Sequence, residues 1–545
     1  MVRKLDIVPL GGLGEVGMNC LCVEYEDTRL IIDAGLTFPD QPFGSDIIHP
    51  DFSYLQANPR PVQAIVLTHG HEDHVGALPF LLRTVTAPVY GPPYALAMAR
   101  ERLNEFPAPT PPDLNNTQPG QVLQVGPLQV EPFRVAHSIP DCTGLIIRTP
   151  VGTIVHTGDF RIDRHPPDGE KLDEAALAHV GDQGVRLLLS DSTNVEREEI
   201  NGSEARVAER LLHHAGNAPG RVVVSMFASN IYRLQALVHT AATLDRKLLL
   251  MGRSIQTHAR IARALGLVKR LDGLRISADE ARRLPPERLL VGATGSQGEL
   301  RAALQRLARG THPALALAKG DMVIHSARVI PGKERIVYRT FDELCRRGVQ
   351  VIHRGDDPEL HVSGHAPRAD QRRMLELTRP QAFVPVHGTL HHLTRHAELG
   401  REAGVPEILV IENGQRLQLT AAQAAVVGNE DTGRVHRQGG HPLHPGVLRD
   451  RAHMAETGLC VISLVLDAHN RVCTEPRILT RGVCWEDDAR PLLQELTDAA
   501  RHTLTRLDPA ASDADITRAV CQQLRSRLQE AIGFSPAVHC LLQRL

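Results

Sequence analysis

What this sequence lacks narrows its class first. None of its nine cysteines forms a C-x-x-C pair, and Cys20 and Cys22 alternate along a predicted strand. Neither a disulfide framework nor a cysteine-based zinc site is therefore expected. No apolar run reaches the length of a membrane helix, and the opening MVRKLDIVPLGG is broken by Pro and Gly too early to act as a signal peptide. The expected compartment is the cytoplasm, with no membrane partner. Charge of one sign is missing too. The formal net charge is −2 at pH 7, so any phosphate-binding surface has to be local. Lysine is scarce among the 61 basic residues. Arginine suits bidentate phosphate contacts, but codon bias accounts for its excess equally well.

What is present is enough for several cores. At 545 residues with 42% hydrophobic content, two to four globular domains are expected. Over the first 160 or so residues, β-branched and apolar runs such as TRLIIDAG, AIVLTHG and GTIVHTGD close on Gly, Pro or Asp, as strands do. Helical patterning appears in DHVGALPFLLRTV and YALAMARERLNEF, which together with the strands predicts an α/β sandwich. From about 200 the pattern becomes strand–helix–strand (RVVVSMF, NIYRLQALVHTAATL, KLLLMG), the alternation of a parallel Rossmann-like module. Short strands return near 408–419. The Gly/Pro-rich stretch from 428 reads as a linker, and a small α/β domain follows.

The chemistry concentrates in LTHGHEDHVGALP at 67–79. His69 and His71, two residues apart at a strand end, can face one side. Asp73 and His74 then open a helix and face back. Nitrogen and oxygen ligands at this density suit zinc or a similar divalent ion, and the alternation suggests two ions, with His69/His71 on one and Asp73/His74 on the other. His137, Asp159 and His387 each close an apolar run beside a Gly or Ser, and Asp159 is placed to bridge both ions. SMFASN sets Ser229 and Asn230 between a strand and a helix start, where free N–H groups attract an anion. HVSGH packs His361, Ser363, Gly364 and His365 into five residues.

In type and order, THGHEDHVG, AHSIPD, HTGDF and PVHG resemble the metallo-β-lactamase superfamily. Asp33 in IIDAGL matches the aspartate that steadies the ligand loop there. A gap of 228 residues separates Asp159 from His387 and holds the Rossmann-like module. That insertion, with Asp191 in SDSTN and the histidines of HVSGHAPRADQ, is similar to the β-CASP nucleases, whose RNA-acting members keep a histidine at the position of His387. PLGGLGEVGMN, ATGSQGEL, VIPGKE and the appended C-terminal domain resemble the bacterial ribonuclease J family over nearly the whole chain. Met18, His325 and Lys333 depart from that pattern, none at a ligand position.

The resemblance implies a metallo-β-lactamase αββα sandwich (1–200 and 355–427), an inserted β-CASP domain (201–354), a linker (428–452) and a C-terminal α/β domain (453–545). It implies a 5′-to-3′ exonuclease with endonuclease activity in RNA maturation and decay. Two divalent ions per subunit are expected, zinc before manganese or magnesium, with water activated between them and phosphate charge neutralised. Asp73 and Asp191 would serve the reacting centre. His365 would protonate the leaving 3′ oxygen or only hold a neighbour in place. A pocket of Ser229, Asn230, His361, Ser363 and Gly364 would grip the 5′-monophosphate of single-stranded RNA. A homodimer or homotetramer through the C-terminal domain is implied. Two rivals stay open: a small-molecule metallohydrolase acting on a thioester or lactone, and an idle RNA-binding subunit.

Overall fold

A computed structural model describes residues 3–39, 43–198, 202–484 and 489–545. They fall into two compact units, one within Met1–Thr37 and Ile48–Arg434, the other within Phe38–Ile47 and Val435–Leu545.

Two sheets form the heart of the first unit. One has eight strands, in the order Ala424–Asn429, Gln415–Leu419, Leu5–Gly11, Cys20–Tyr25, Thr28–Ile32, Val62–Val66, Val89–Gly91 and Leu114–Asn116. The other has seven, from Glu407–Ile408 through Ala382–Val386, Val185–Asp191, Gly152–His156, Thr143–Thr149 and Leu128–Arg134 to Leu123–Val125. Side chains from both sheets, among them Ile7, Val23, Ile32, Val66, Ile147, Leu189 and Val384, share one buried core. Strands that bury both faces are mostly apolar, and Thr28–Ile32 and Val185–Asp191 are buried along their whole length, with Arg29 and Arg186 paired to Glu24 and Glu407. The loops with the candidate ligands leave the ends of Val62–Val66, Gly152–His156 and Ala382–Val386, so the hydrophobic sandwich fixes where the polar residues emerge.

The inserted module carries a five-stranded sheet, parallel throughout, in the order Lys247–Met251, Leu289–Ala293, Val222–Ser225, Met322–His325 and Gln350–Ile352. Ser203 caps its first helix, Glu204–Gly216, by accepting from the Ala205 N–H. The predicted helix in DHVGALPFLLRTV is two short helices, Glu72–Val75 and Leu78–Leu81, with Pro79 in the first turn of the second.

In the second unit the strand Leu459–Leu466 lies between Arg477–Arg481 (antiparallel) and Ala537–Arg544 (parallel). Its alternate residues Cys460, Ile462, Leu464 and Leu466 are buried in one core with Leu496 and Ala500 of helix Ala489–Arg506 and with Ile516, Val520 and Leu524 of helix Asp513–Ile532. The segment 428–452 differs from the linker expected there. Arg434–Gln438 pairs with His441–Pro442, and helix Pro445–Thr457 follows at once. Its glycines Gly439 and Gly440 make the hairpin turn at positive φ. Pro445 opens the helix where a missing N–H costs nothing, and the His444 ring accepts from the Gly446 N–H. Turn and cap chemistry had the composition of a tether. No helix among the described residues is long and apolar enough to cross a membrane.

Candidate active site

His69, His71, Asp73, His74, His137, Asp159 and His387 come together at the strand ends. One group joins His69, His71, His137 and Asp159, and a second joins Asp73, His74, Asp159 and His387. Within each group the ligand atoms lie within 4.8 Å of one another. Asp159 belongs to both.

The ring orientations are set from behind. Asp33, at φ 61°, follows the strand Thr28–Ile32. Its Oδ1 accepts from the Thr68 N–H at 2.7 Å, and its Oδ2 accepts from the Thr68 hydroxyl and sits 2.8 Å from His74 Nδ1. His74 Nε2 is thereby turned to the cluster, 3.2 Å from Asp159 Oδ2. His137 Nδ1 lies 2.6 Å from the Gly364 carbonyl, so that nitrogen donates and Nε2 keeps a lone pair. An added Cβ at Gly364 would fall 2.6 Å from His137 Cε1, which explains why glycine stands there. His387 ends the strand Ala382–Val386 at φ 52°, an uncommon backbone state for a non-glycine residue. Its Nδ1 sits 2.8 Å from Asp159 Oδ1.

Hydrogen bonds alone leave this cluster incomplete. His69 Nε2 and His137 Nε2 both lie 3.1 Å from His71 Nδ1, and one proton on His71 can serve only one of them. His387 Nε2 is buried without a hydrogen-bond partner. It lies 3.4 Å from Asp73 Oδ2, an ion-pair distance. Converging lone pairs, carboxylates and an orphaned ring nitrogen fit a metal centre of nitrogen and oxygen donors.

Electrostatics divide the imidazoles in two. Burial, reinforced by neighbouring histidines, drives His69 and His137 well below the usual range. Burial also takes His71 down to about 4. These three are neutral, as ligands must be. Burial opposes a proton on His74 and His387 as well, but carboxylates outweigh it. Asp159, Asp33 and Asp73 hold His74 well above its ordinary value, and Asp159 with Asp73 pushes His387 up to about 10. A cation entering the second group competes with those protons for the same carboxylates.

Asp191 and His365 adjoin the cluster. Asp191 Oδ1 accepts from the Thr193 N–H and hydroxyl, and its Oδ2 lies 2.8 Å from His365 Nδ1. His365 reaches solvent with 22% of its side chain, against 3% or less for His69, His74, His137 and His387. Burial disfavours its charge, yet Asp191 and Asp159 prevail and raise its pKa. Asp159, Asp191, His365 and His387 are also close enough to hold an ion, but their contacts at 2.8 Å already pair them.

The residues expected around a phosphate separate into two kinds. Asn230 is committed to the module: its Oδ1 accepts from the Arg233 N–H and its Nδ2 donates to Glu204. The Gly364 carbonyl is taken by His137. Ser363 Oγ accepts from Asn194 Nδ2 at 2.6 Å and from the His365 N–H at 3.3 Å, which leaves its proton to donate. Ser229 is half-buried at the loop before helix Ile231–Thr243. His361 has a buried Nδ1 without a partner. Burial, then the charges of Arg233, Arg354, His325 and Arg328, hold its pKa well down, so a neutral ring sits in a positive field.

Sequence reasoning missed Asn19, Thr68, Thr193 and Asn194. Asn19 donates to the Asp73 carbonyl and lies 3.0 Å from His74 Nε2. Asn194 stands in the quoted SDSTN, three residues after Asp191, and that spacing was the available signal. Asn19 and Thr68 act on ligands from neighbouring strands, which only the fold brings close.

Known proteins agree with this layout. Family models match as the metallo-beta-lactamase superfamily over residues 13–214, the ribonuclease J beta-CASP domain over 219–344, the Zn-dependent metallo-hydrolase RNA specificity domain over 359–410 and the ribonuclease J C-terminal domain over 446–545. Similar proteins include ribonuclease J of Thermus thermophilus, 39% identical across 84% of this chain and 82% of its own. Ribonuclease J of Synechocystis is 38% identical across 91% and 78%, and ribonuclease J 1 of Streptococcus pyogenes 36% across 98% and 97%. A crystal structure of a protein of unknown function from Enterococcus faecalis shares the fold, with a TM-score of 0.54 at 19% identity, over 76% of this chain and all of that one.

Proposed function

The chain belongs to the ribonuclease J family, and from that premise we propose that it is a metal-dependent ribonuclease whose reaction runs at the paired His/Asp groups sharing Asp159. The observation that carries this is the convergence of seven ligand side chains with an orphaned His387 Nε2. His69, His71, His137 and Asp159 would hold one divalent ion, and Asp73, His74, Asp159 and His387 a second, zinc being the best fit to the donors. When bound, such ions neutralise charge on a phosphoryl oxygen and make water a nucleophile near neutral pH.

The chain's own residues supply the rest. Asp191 anchors His365 through Nδ1, and this histidine, with 22% of its side chain exposed, would carry the proton for the leaving 3′ oxygen. Ser363, Ser229 and His361 make the 5′-phosphate pocket: a hydroxyl with a free proton, a loop at a helix start and a ring nitrogen within an arginine-rich field. A pocket at fixed distance from the ions favours 5′-monophosphorylated single-stranded RNA and stepwise 5′-to-3′ release, with internal cleavage as a second mode. We assign the inserted domain to 201–354, within the sandwich of 1–200 and 355–427.

Incubation of pure protein with 5′-labelled RNA, with and without EDTA, tests the core reading. Chelator-sensitive mononucleotide release is expected, and intact RNA in both arms would refute it. The segment 453–545 holds no ligand group among its described residues and is assigned to dimer or tetramer assembly. Removing it should lower the number of subunits per particle seen by light scattering, and an unchanged number would refute that role.

A further inference from the structure

The ligand loop rests on a helix that also faces the inserted module. Gly70 stands between His69 and His71, and a Cβ there would lie 2.9 Å from Tyr94 Cδ1 and 3.2 Å from Ala95 Cα. The first turn of helix Pro93–Glu105 is thus the floor beneath the two histidines. Towards the helix end, Arg102 grips Glu72, the residue between His71 and Asp73, with Nε–Oε2 2.7 Å and Nη2–Oε1 2.6 Å. On its other side, Tyr94 Oη lies 2.7 Å from Nδ1 of His258, on helix Arg253–Ala264 of the inserted module, and Glu101 pairs with Arg260.

Tyr94 and His258 are both buried. Burial takes His258 down to about 3, so its ring is neutral and Nδ1 accepts the phenolic hydrogen. A buried tyrosine usually finds a partner for its hydroxyl, and that alone would account for one hydrogen bond. It does not account for the ring lying against the glycine between two ligands while the hydroxyl is held by a separate module with its own core. A rigid contact on each side of one ring passes displacement from module to loop.

We propose that Tyr94 is a positioning residue: through its bond to His258, the inserted module fixes the His69–Gly70–His71 segment in the geometry that holds an ion. This rests on reading His69, His71, His137 and Asp159 as an ion site.

The test uses the full chain and reads zinc affinity by competition with a chromophoric chelator, together with the absorption spectrum of the cobalt-loaded protein. Tyr94→Phe and His258→Ala should each weaken zinc about tenfold, the lower end for groups that orient ligands, and shift the cobalt bands. The double variant should lose no more than either single one. His258→Gln, which keeps an acceptor, should stay near wild type. Unchanged zinc affinity in Tyr94→Phe, with only its melting temperature lowered, would overturn the coupling and leave the bond a satisfied buried pair. Tyr94→Phe alone decides if His258→Ala does not fold. A wild type that takes up no zinc would overturn the ion site itself, a result distinct from zinc bound equally by all forms.

Discussion

Two buried polar clusters in the first unit treat their unmet valences in opposite ways. Around Asp159, ring nitrogens face one another and His387 Nε2 has no hydrogen-bond partner. Around Arg233, in the inserted module, the main polar groups answer each other. Its guanidinium donates to both oxygens of Glu204, to the Ser326 carbonyl and hydroxyl, and more distantly to the Leu360 carbonyl. Asn230 donates to Glu204 in turn. Burial of polar groups without answering partners is costly, so the first cluster suits metal binding, whereas the second is complete as a scaffold. Changes in the first should therefore strike chemistry and ion affinity, and changes in the second should strike folding.

The largest break expected is Asp73→Ala. Removing a carboxylate that faces both His74 and His387 costs several kcal/mol of charge stabilisation, about a thousandfold or more in rate. The sandwich core is separate from it, so the melting temperature should hold. Cleavage of labelled RNA at matched zinc concentrations checks this, and full chelator-sensitive activity in the variant would remove Asp73 from the site.

Glu204→Ala is the mirror experiment. Breaking one partner of a buried ion pair costs about 3–5 kcal/mol, read as a loss in unfolding free energy in denaturant. The pH dependence follows from the same group. Burial opposes ionised Glu204, but Arg233 and Arg161 outweigh it and lower its pKa below the ordinary 4.5. A carboxylate with a depressed folded pKa stabilises fully above its unfolded pKa and loses that contribution as pH falls through the folded one. The gap between wild type and Glu204→Gln should thus narrow below about pH 4.5, and a gap that widens in acid would reverse the assignment.

Asp33→Ala should have a smaller effect than either. It leaves every ligand in place but frees Thr68 and His74, and orienting partners of this kind are worth about 10–100-fold in metal affinity. Zinc competition measures it, and an affinity equal to wild type would mean that the loop holds its own shape.

The two clusters also explain what sequence could reveal. The meeting of His137, Asp159 and His387 in one cluster was legible because each closely follows an apolar strand, and the sheet decides where the chain emerges. Asp33 was visible through the same rule and the resemblance. For Asn230 and Gly364 the sequence suggests phosphate contacts but says nothing of their other partners, since a small polar residue before a helix, or a glycine between histidines, looks the same in either role. Only the third dimension shows that Asn230 meets Glu204, 26 positions away, and that Gly364 meets His137, 227 away. Segment 428–452 misled for a similar reason, since a hairpin turn followed by a proline-started helix shares its composition with a tether.

The smallest effect sharpens the comparison at the boundary between the clusters. Ser363 and Asn230 are expected in one pocket, and their hydrogen bonds differ. Asn230→Ala removes a helix cap, costing about 1 kcal/mol of stability, and it should leave the preference among 5′ ends untouched. Ser363→Ala removes a hydroxyl whose oxygen already accepts from Asn194 and His365 and whose proton is available to an anion. Loss of one hydrogen bond to a charged group is worth about 1.5–3 kcal/mol, so this variant should lose roughly tenfold or more of its preference for a 5′-monophosphate over a 5′-hydroxyl. Rates on otherwise identical RNAs with monophosphate, triphosphate and hydroxyl ends, set beside unfolding curves for both variants, make the check. Should Asn230→Ala abolish the end preference while Ser363→Ala keeps it, the anion sits on the inserted module's helix start, and the division between scaffold and pocket falls on the other side of Asn230.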